Sequence, residues 1–400
     1  MRTIAAQYLF SIDHSPIRRG YLCLNTDGVI VEVGQLEENE ERESTEFYDG
    51  IICPGFVNSH SHIELSHLKD HFSEGSGMAG FIRQINALRE CSSVEERVAA
   101  IEREMKQLFE SGVSAMADIS NCDESFRIKS VSQLYTRTFI ELFGSEPEEC
   151  ETIMHNGFKL QQIAKSYDLD AAITPHSCYT MSPELNKAAI KAALKEGFLS
   201  YHNQESWEEE ELIKNGTGPL AEEYKRRGLS TPPVIGKPAL FYFLQNLSEV
   251  RNLSKETVKE HILLVHNTFT NEESIDAAMT MISNLFWAIC PLSNIFIHRC
   301  LPPVELMRRK GCTITLGTDS LSSNKVLSIV EEIKVIHNYF PNISLEEILK
   351  WATLNGAMFL GKEKELGSFS TGKKPGVVLI DNIDWNKMQL TENSHSKRIV

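Results

Sequence analysis

The chain has no Cys-x-x-Cys pair, no low-complexity tract, no short internal repeat and no apolar run near the ~18 residues that span a bilayer. Its nine cysteines are odd in number and scattered (Cys23, Cys53, Cys91, Cys122, Cys150, Cys178, Cys290, Cys300, Cys312). That pattern argues against a disulfide framework and for reduced thiols in a cytoplasm. The first ten residues hold too short an apolar stretch for a secretory leader and lack a small-residue cleavage pattern. Positive charge is scarce: 40 Lys and Arg face 55 Asp and Glu, a net charge of −15. Extended nucleic-acid surfaces and anionic lipid both demand clustered cations. The expectation is a soluble, cytoplasmic protein that meets a small molecule, with no nucleic acid and no membrane as partner.

At 400 residues, with 42% hydrophobic and 24% charged side chains, the chain has the size and composition of a large barrel with a minor extra domain. Both ends are rich in short strands. Residues 22–24 and 29–33 flank Asn25-Thr26-Asp27-Gly28, whose Asp-Gly favours a hairpin turn. Near the other end, Lys373-Lys374-Pro375-Gly376 precedes a strand at 377–380. Residues 1–53 and 366–400 are therefore expected to form one small β-sandwich domain.

The middle, 54–365, alternates. Strands are expected at 55–58, 113–119, 135–143, 171–174, 198–201, 262–265, 285–289 and 313–317. Helical patterns lie between them, among them 94–110, 183–196, 212–227 and 272–282. Eight such units predict an α/β fold with a closed (β/α)8 TIM barrel; an open doubly wound sheet is the alternative.

Barrel chemistry sits at the C-terminal ends of strands. There the sequence places His60 and His62 (strand one), His176 (four), His202 with Glu205 (five), His266 (six) and Asp319 (eight). Five of the thirteen histidines fall at such ends. Residues two apart on a strand point to one side, so His60 and His62 can share one metal ion. With His202 and Asp319 they make three imidazoles and a carboxylate, a set suited to one divalent cation, zinc first and iron as the alternative. A cation there makes hydroxide available from water near neutral pH. Asp319 can also accept that water's proton, His266 can hydrogen-bond the water or the developing oxyanion, and Glu205 can carry protons to a ring nitrogen and the leaving amine. Asp319 alone would read equally well as a helix cap.

The segments PGFVNSHSH (54–62), YHNQES (201–206), LLVHN (263–267) and LGTDSLSSN (316–324) resemble the amidohydrolase superfamily, in its deaminase and chlorohydrolase branch. HSHIELS and GTDSLSSN are similar to aminodeoxyfutalosine deaminases. TPHSCYTMSPEL (174–185) is similar to the deaminases of adenosine-type nucleosides such as S-adenosylhomocysteine and methylthioadenosine. The resemblance implies hydrolytic deamination of an aminated purine nucleoside by a mononuclear barrel, since His176 stands where binuclear relatives carry a carboxylated lysine. It implies that His176 touches substrate, and it leaves a homodimer open. Opening of a cyclic amide, displacement of a halide, and a non-catalytic scaffold are the competing functions.

Other polar residues have plainer expectations. His67 and His71 read as solvated, with Glu64 or His67 as candidates for the pocket mouth. Residues 208–211, four glutamates, read as the solvated first turn of a helix. Arg83 and Arg137 read as surface or packing residues before carboxylate binders, Ser322 and Asn324 as loop-shaping, Cys178 as packing, and 241–243 as core.

Overall fold

Eight apolar runs fold as parallel strands, labelled β1 (Phe56–Ser61), β2 (Val113–Ser120), β3 (Tyr135–Leu142), β4 (Asp170–Pro175), β5 (Phe198–Asn203), β6 (His261–His266), β7 (Leu285–Ile289) and β8 (Thr313–Leu316). They are seen in a computed structural model that describes residues 1–37, 44–253 and 260–400. β1 to β4 pair in sequence order in one sheet, and β5 to β8 in a second. Every residue of β1 and β7 is buried, as expected of parallel strands covered on both faces. Alternation still decides direction. Ala115 and Ala117, Leu263 and Val265, and Phe286 and Ala288 share one core, which Phe359 enters. Met116, Leu264, Trp287 and Ile289 belong to the other, helix-covered core.

Hydrogen bonds join the two sheets at both seams. Between β4 and β5, His202 N–H donates to His176 O at 2.9 Å, and the Thr174 hydroxyl donates to Ser200 O at 2.5 Å. Between β8 and β1, the N–H groups of Thr318 and Asp319 both donate to His60 O at 3.0 Å.

The helices Val94–Glu110 and Pro183–Glu196 have the expected bounds, because their ends carry local signals. Ser93 and Glu96 form a capping box; Ser182 caps the second helix, which stops at Gly197 in the left-handed region (φ 81°). The single helix expected over 212–227 is instead two: α2 (Trp207–Asn215) and α3 (Pro219–Arg227), after α1 (Gly77–Leu88) earlier in the chain. Gly216 (φ 70°) ends α2 and Pro219 opens α3, so the apolar period continues across a break in the backbone.

Both chain ends form one seven-stranded mixed sheet. Its order is Ser396–Arg398, Val377–Ile380, Thr45–Pro54, Arg2–Leu9, Gly20–Leu24 and Ile30–Gln35, with Ile17–Arg18 beside Arg2–Leu9. Asn25 Oδ1 accepts the N–H groups of Asp27 and Val29 and shapes the expected hairpin turn. Thr45–Pro54 leads after one residue into β1, so the terminal sheet sets where the first histidine strand begins.

Gly317, at the end of β8, has no room for a side chain. A Cβ there would lie 2.8 Å from His60 Cβ and 2.9 Å from His60 O. Gly317→Ala is expected to lower stability by about 1–3 kcal/mol, read from the urea midpoint at constant m-value. A midpoint unchanged from wild type would mean that β8 is not pressed against β1 as described.

Candidate active site

The strand ends bring the expected side chains together. His60, His62 and His202 are buried, and their Nε2 atoms face one another: 3.2 Å between His60 and His62, and 3.4 Å between His62 and His202. Burial holds the pKa values of His60 and His202 well below the ordinary imidazole range, so both rings are neutral near pH 7. Lone pairs converging at this distance repel unless a cation lies between them. A tetrahedral zinc with nitrogens at about 2.0–2.1 Å has ligand–ligand edges of about 3.4 Å, and the three imidazoles fit that size. Asp319 Oδ1 stands 3.7 Å from His60 Nε2 and 3.6 Å from His62 Nε2, in place for a fourth ligand.

Two of the groups, His202 and Asp319, have polar partners on their far side. Glu141, at the end of β3, puts Oε1 at 3.3 Å from His202 Nδ1, which turns Nε2 of that ring towards the centre. The hydroxyls of Ser293 (2.6 Å) and Ser323 (2.7 Å) both donate to Asp319 Oδ2, leaving Oδ1 to face the histidines. Burial by itself would raise the Asp319 pKa; the facing imidazoles and Ser293 outweigh it and hold the carboxylate below its usual range. Asp319 (φ 56°), His266 (φ 69°) and Gln204 (φ 45°) all adopt the left-handed backbone that non-glycine residues avoid. Such strain persists only where surrounding bonds over-determine it.

Glu205 is buried, with its Oε1 3.6 Å from His266 Nε2. The Tyr179 hydroxyl donates to Glu205 Oε2 at 3.1 Å. Burial first, and then the negative charge of Asp319, hold the Glu205 pKa well above the carboxylate range. Burial likewise brings His266 down to about 4 and His176 to about 3. His176 stacks on His202 at 4.4 Å between centroids, and its Nδ1 is engaged by Ser177 Oγ (2.8 Å) and Thr180 Oγ1 (3.0 Å).

These groups share one cavity of about 430 Å³, lined by His62, His176, His202, Glu205, His266 and Asp319. α1 gives its wall the apolar side chains of Met78, Phe81, Ile82 and Ile85, and α3 gives Leu220 and Tyr224 beside the charged Glu223 and Arg227. A pocket of this size with a mainly apolar lining and a few convergent polar groups suits a small organic molecule.

The family model of the Amidohydrolase family matches residues 51–398. This chain belongs to the Amidohydrolase family. It is 28% identical over 346 residues to an adenosine deaminase of Helicobacter pylori, covering 84% of this chain and 81% of that one. Its fold is similar to the crystal structure of Helicobacter pylori aminofutalosine deaminase with methylthio-coformycin (TM-score 0.79, 22% identity, 100% of both chains). It is also similar to atrazine chlorohydrolase from Arthrobacter aurescens TC1 complexed with zinc (TM-score 0.69, 16% identity, 94% of this chain and 86% of that one). Together they identify an α/β fold of the TIM-barrel type.

Several residues of this amidohydrolase sit elsewhere than their sequence context suggested. Three of the four glutamates at 208–211 are not solvated: Glu208 and Glu209 are buried, and Glu210 accepts from Gln204 Nε2 at 2.7 Å. Buried Glu64 accepts from Arg89 Nη2 (2.7 Å) and from the N–H groups of Asn121 and Cys122, and neither it nor His67 lines the cavity. The His67 ring is half-buried, its nitrogens facing Glu64 O and Arg89 O, while His71 is exposed. Arg137 stacks on Phe198 at 3.6 Å, a packing role, and exposed Arg83 pairs from the surface with Glu223. Ser322 lines the cavity; Asn324 instead donates to Thr318 O and Glu332 Oε1, shaping the loop after β8. Cys178 and the side chains of Tyr242 and Phe243 are core.

Glu141, Ser293, Ser323 and Glu332 carried no signal in the sequence, because their partners are distant along the chain. Lys129 is another. Fully buried, it pairs with Asp118 Oδ2 at 2.5 Å, while Asp118 Oδ1 accepts the Ile63 N–H at 2.8 Å, directly after the His60/His62 pair. Lys129→Met strands a buried carboxylate and is expected to cost about 3–5 kcal/mol in a urea unfolding series, whereas the double variant with Asp118→Asn recovers part of it. Equal losses in the single and the double variant would show that the pair itself is not the source.

Proposed function

We propose that this chain is a metal-dependent hydrolase that removes the exocyclic amine of a purine nucleoside-like compound. One observation carries the proposal: three buried imidazoles and the Asp319 carboxylate converge at a cavity that Glu205, its pKa raised by burial, also lines. His60, His62, His202 and Asp319 would hold one divalent cation, zinc by the edge lengths above and iron as the alternative. When bound, such a cation supplies hydroxide from water at neutral pH and polarises what it touches.

The rest is done by side chains. Hydrolytic deamination adds water across a C=N bond and expels ammonia. Glu205 donates its proton to the ring nitrogen as the neighbouring carbon is attacked. Asp319 takes the proton released by the attacking water, and the leaving amine departs with a proton returned through this carboxylate pair. His266, neutral at its depressed pKa, hydrogen-bonds the attacking oxygen. His176, on the cavity wall, contacts the substrate beside the reacting ring. The opposed pKa shifts of Glu205 and Asp319 support this division between acid and base.

The relatives support the amine-bearing purine: one is named adenosine deaminase, and the aminofutalosine deaminase structure holds a coformycin. Bonds at both seams support reading residues 54–365 as one closed barrel. The shared core of Ile4, Leu22, Ile52 and Val377 supports reading 1–53 with 366–400 as one small β domain, although these four stand on a single sheet and give no support to a sandwich. No helix of the described residues is long and apolar enough to cross a membrane, and nine free thiols fit a cytoplasmic location.

The test is ammonia release by zinc-loaded protein from aminodeoxyfutalosine, adenosine, S-adenosylhomocysteine and methylthioadenosine, with chloride release from a chlorotriazine as the rival outcome. Turnover of at least one nucleoside is expected. His60→Ala is expected to lose both metal and activity, and Glu205→Gln to keep about one metal per chain while turnover falls on the order of 10²–10⁴-fold. No ammonia from any aminated purine or pyrimidine, or a His60→Ala variant with undiminished metal, would overturn the proposal.

A further inference from the structure

Ser206 caps α2 by accepting the Glu209 N–H at 3.0 Å, which places Glu208 and Glu209 in the first turn of that helix, just after Glu205. Carboxylates in a first turn ordinarily face water and answer the helix dipole. These two instead leave their own helix, in opposite directions.

Glu208 reaches to α1. Its two oxygens accept the Met78 N–H (2.9 Å) and the Ala79 N–H (2.8 Å), the first donors of that helix. Gly77, at φ 66°, gives it access: a Cβ there would meet Glu208 Oε1. α1 is the helix whose Met78, Phe81, Ile82 and Ile85 form the apolar wall of the cavity. Glu209 turns the other way and accepts the Gln204 N–H (2.9 Å), the Glu205 N–H (2.8 Å) and the Cys178 thiol (3.2 Å). It thereby fixes the left-handed backbone at Gln204 and the direction in which Glu205 leaves the strand. Each carboxyl group accepts backbone N–H groups away from water, where losing the acceptor would leave buried donors unpaired, at a cost larger than that of an exposed bond.

We propose that Glu208 and Glu209 are paired positioning residues: Glu209 sets the reach of Glu205 to the reacting ring, and Glu208 sets the distance of the apolar α1 wall from it. Glu208 thus governs how well the substrate is held, and Glu209 how fast it turns over. The kinetic half of this rests on the deaminase reading above; the contacts do not.

The experiment uses the full, zinc-loaded chain with Glu208→Ala, Glu208→Gln, Glu209→Ala and Glu209→Gln. Amide hydrogen exchange is expected to quicken at Met78 and Ala79 in Glu208→Ala, and at Gln204 and Glu205 in Glu209→Ala, each by about tenfold or more and each locally. That measurement needs no turnover, so it stands even if the protein deaminates nothing, an outcome that would sink the functional reading instead. Unchanged exchange at these amides in a folded variant overturns the positioning roles. On the best nucleoside, Glu208→Ala is expected to raise KM about tenfold with kcat falling less than about threefold, and Glu209→Ala to do the reverse, with metal content near one in both. The Gln variants keep one acceptor oxygen and are expected to fall between wild type and Ala. A Glu208→Ala variant that loses kcat at constant KM, or a Glu209→Ala variant that loses only metal, overturns the division of roles.

Discussion

The His60 carbonyl oxygen accepts two backbone N–H groups, from Thr318 and Asp319, and the whole site depends on that junction. It ties the end of β8 to the end of β1 and so brings a carboxylate 259 positions along the chain within reach of His60 and His62. The junction is reinforced by Asn58, whose side chain donates to Thr318 Oγ1 at 2.7 Å and accepts the Thr318 N–H at 3.1 Å. Gly317 is the condition for it, because β8 passes His60 too closely for any Cβ. The left-handed backbone at Asp319 follows: the chain must turn at once after making both bonds, and only that turn aims the carboxylate inward.

Electrostatics then separate groups that share one cavity. Burial makes His60, His202 and His266 neutral, the state in which an imidazole nitrogen binds a cation or makes a hydrogen bond without competing for a proton. The same burial acts on both carboxyl groups, yet their pKa values shift in opposite directions. Asp319 is stabilised as an anion by two serine hydroxyls and the facing rings. Glu205 is buried, feels the charge of Asp319 and accepts the Tyr179 hydroxyl, and its pKa is held well above the carboxylate range. Two carboxyl groups lining one pocket with pKa values pushed apart is the arrangement that divides acid from base in proton transfer to a reacting ring.

Much of this was legible in the sequence because the chemistry sits at strand ends, and strand ends are marked locally. The apolar runs before His60, His202, His266 and Asp319 announce buried parallel strands, and His62, His202, His266 and Asp319, at or just past their ends, line the cavity. Helix limits at 94–110 and 183–196 were legible for the same reason, through Ser93, Ser182 and Gly197. What failed was whatever depended on partners far along the chain. The run 208–211 has the composition of a solvated first turn, and nothing within ten residues reveals that Glu208 meets the backbone of α1, 130 positions earlier. The break between α2 and α3 was written in Gly216 and Pro219, but the amphipathic period runs on through it, and the period outweighed the punctuation.

The fold also separates what performs chemistry from what selects the molecule. The proposed metal ligands and proton carriers stand on or next to strands that are hydrogen-bonded on both sides, so their spacing is fixed by ladder geometry. The apolar wall stands on α1 and α3, helices that no ladder holds. A wall of that kind needs an anchor to keep a constant distance from a rigid site. Carboxyl side chains are an economical anchor here, because a buried carboxyl group with two backbone donors is directional and costly to release. Placing that anchor one residue from the carboxylate that fixes Glu205 makes the turn after β5 the point where substrate fit and proton transfer share a common support. Side chains on the outer face of α1 can then change without disturbing the histidines, while any change that moves the start of α2 disturbs both.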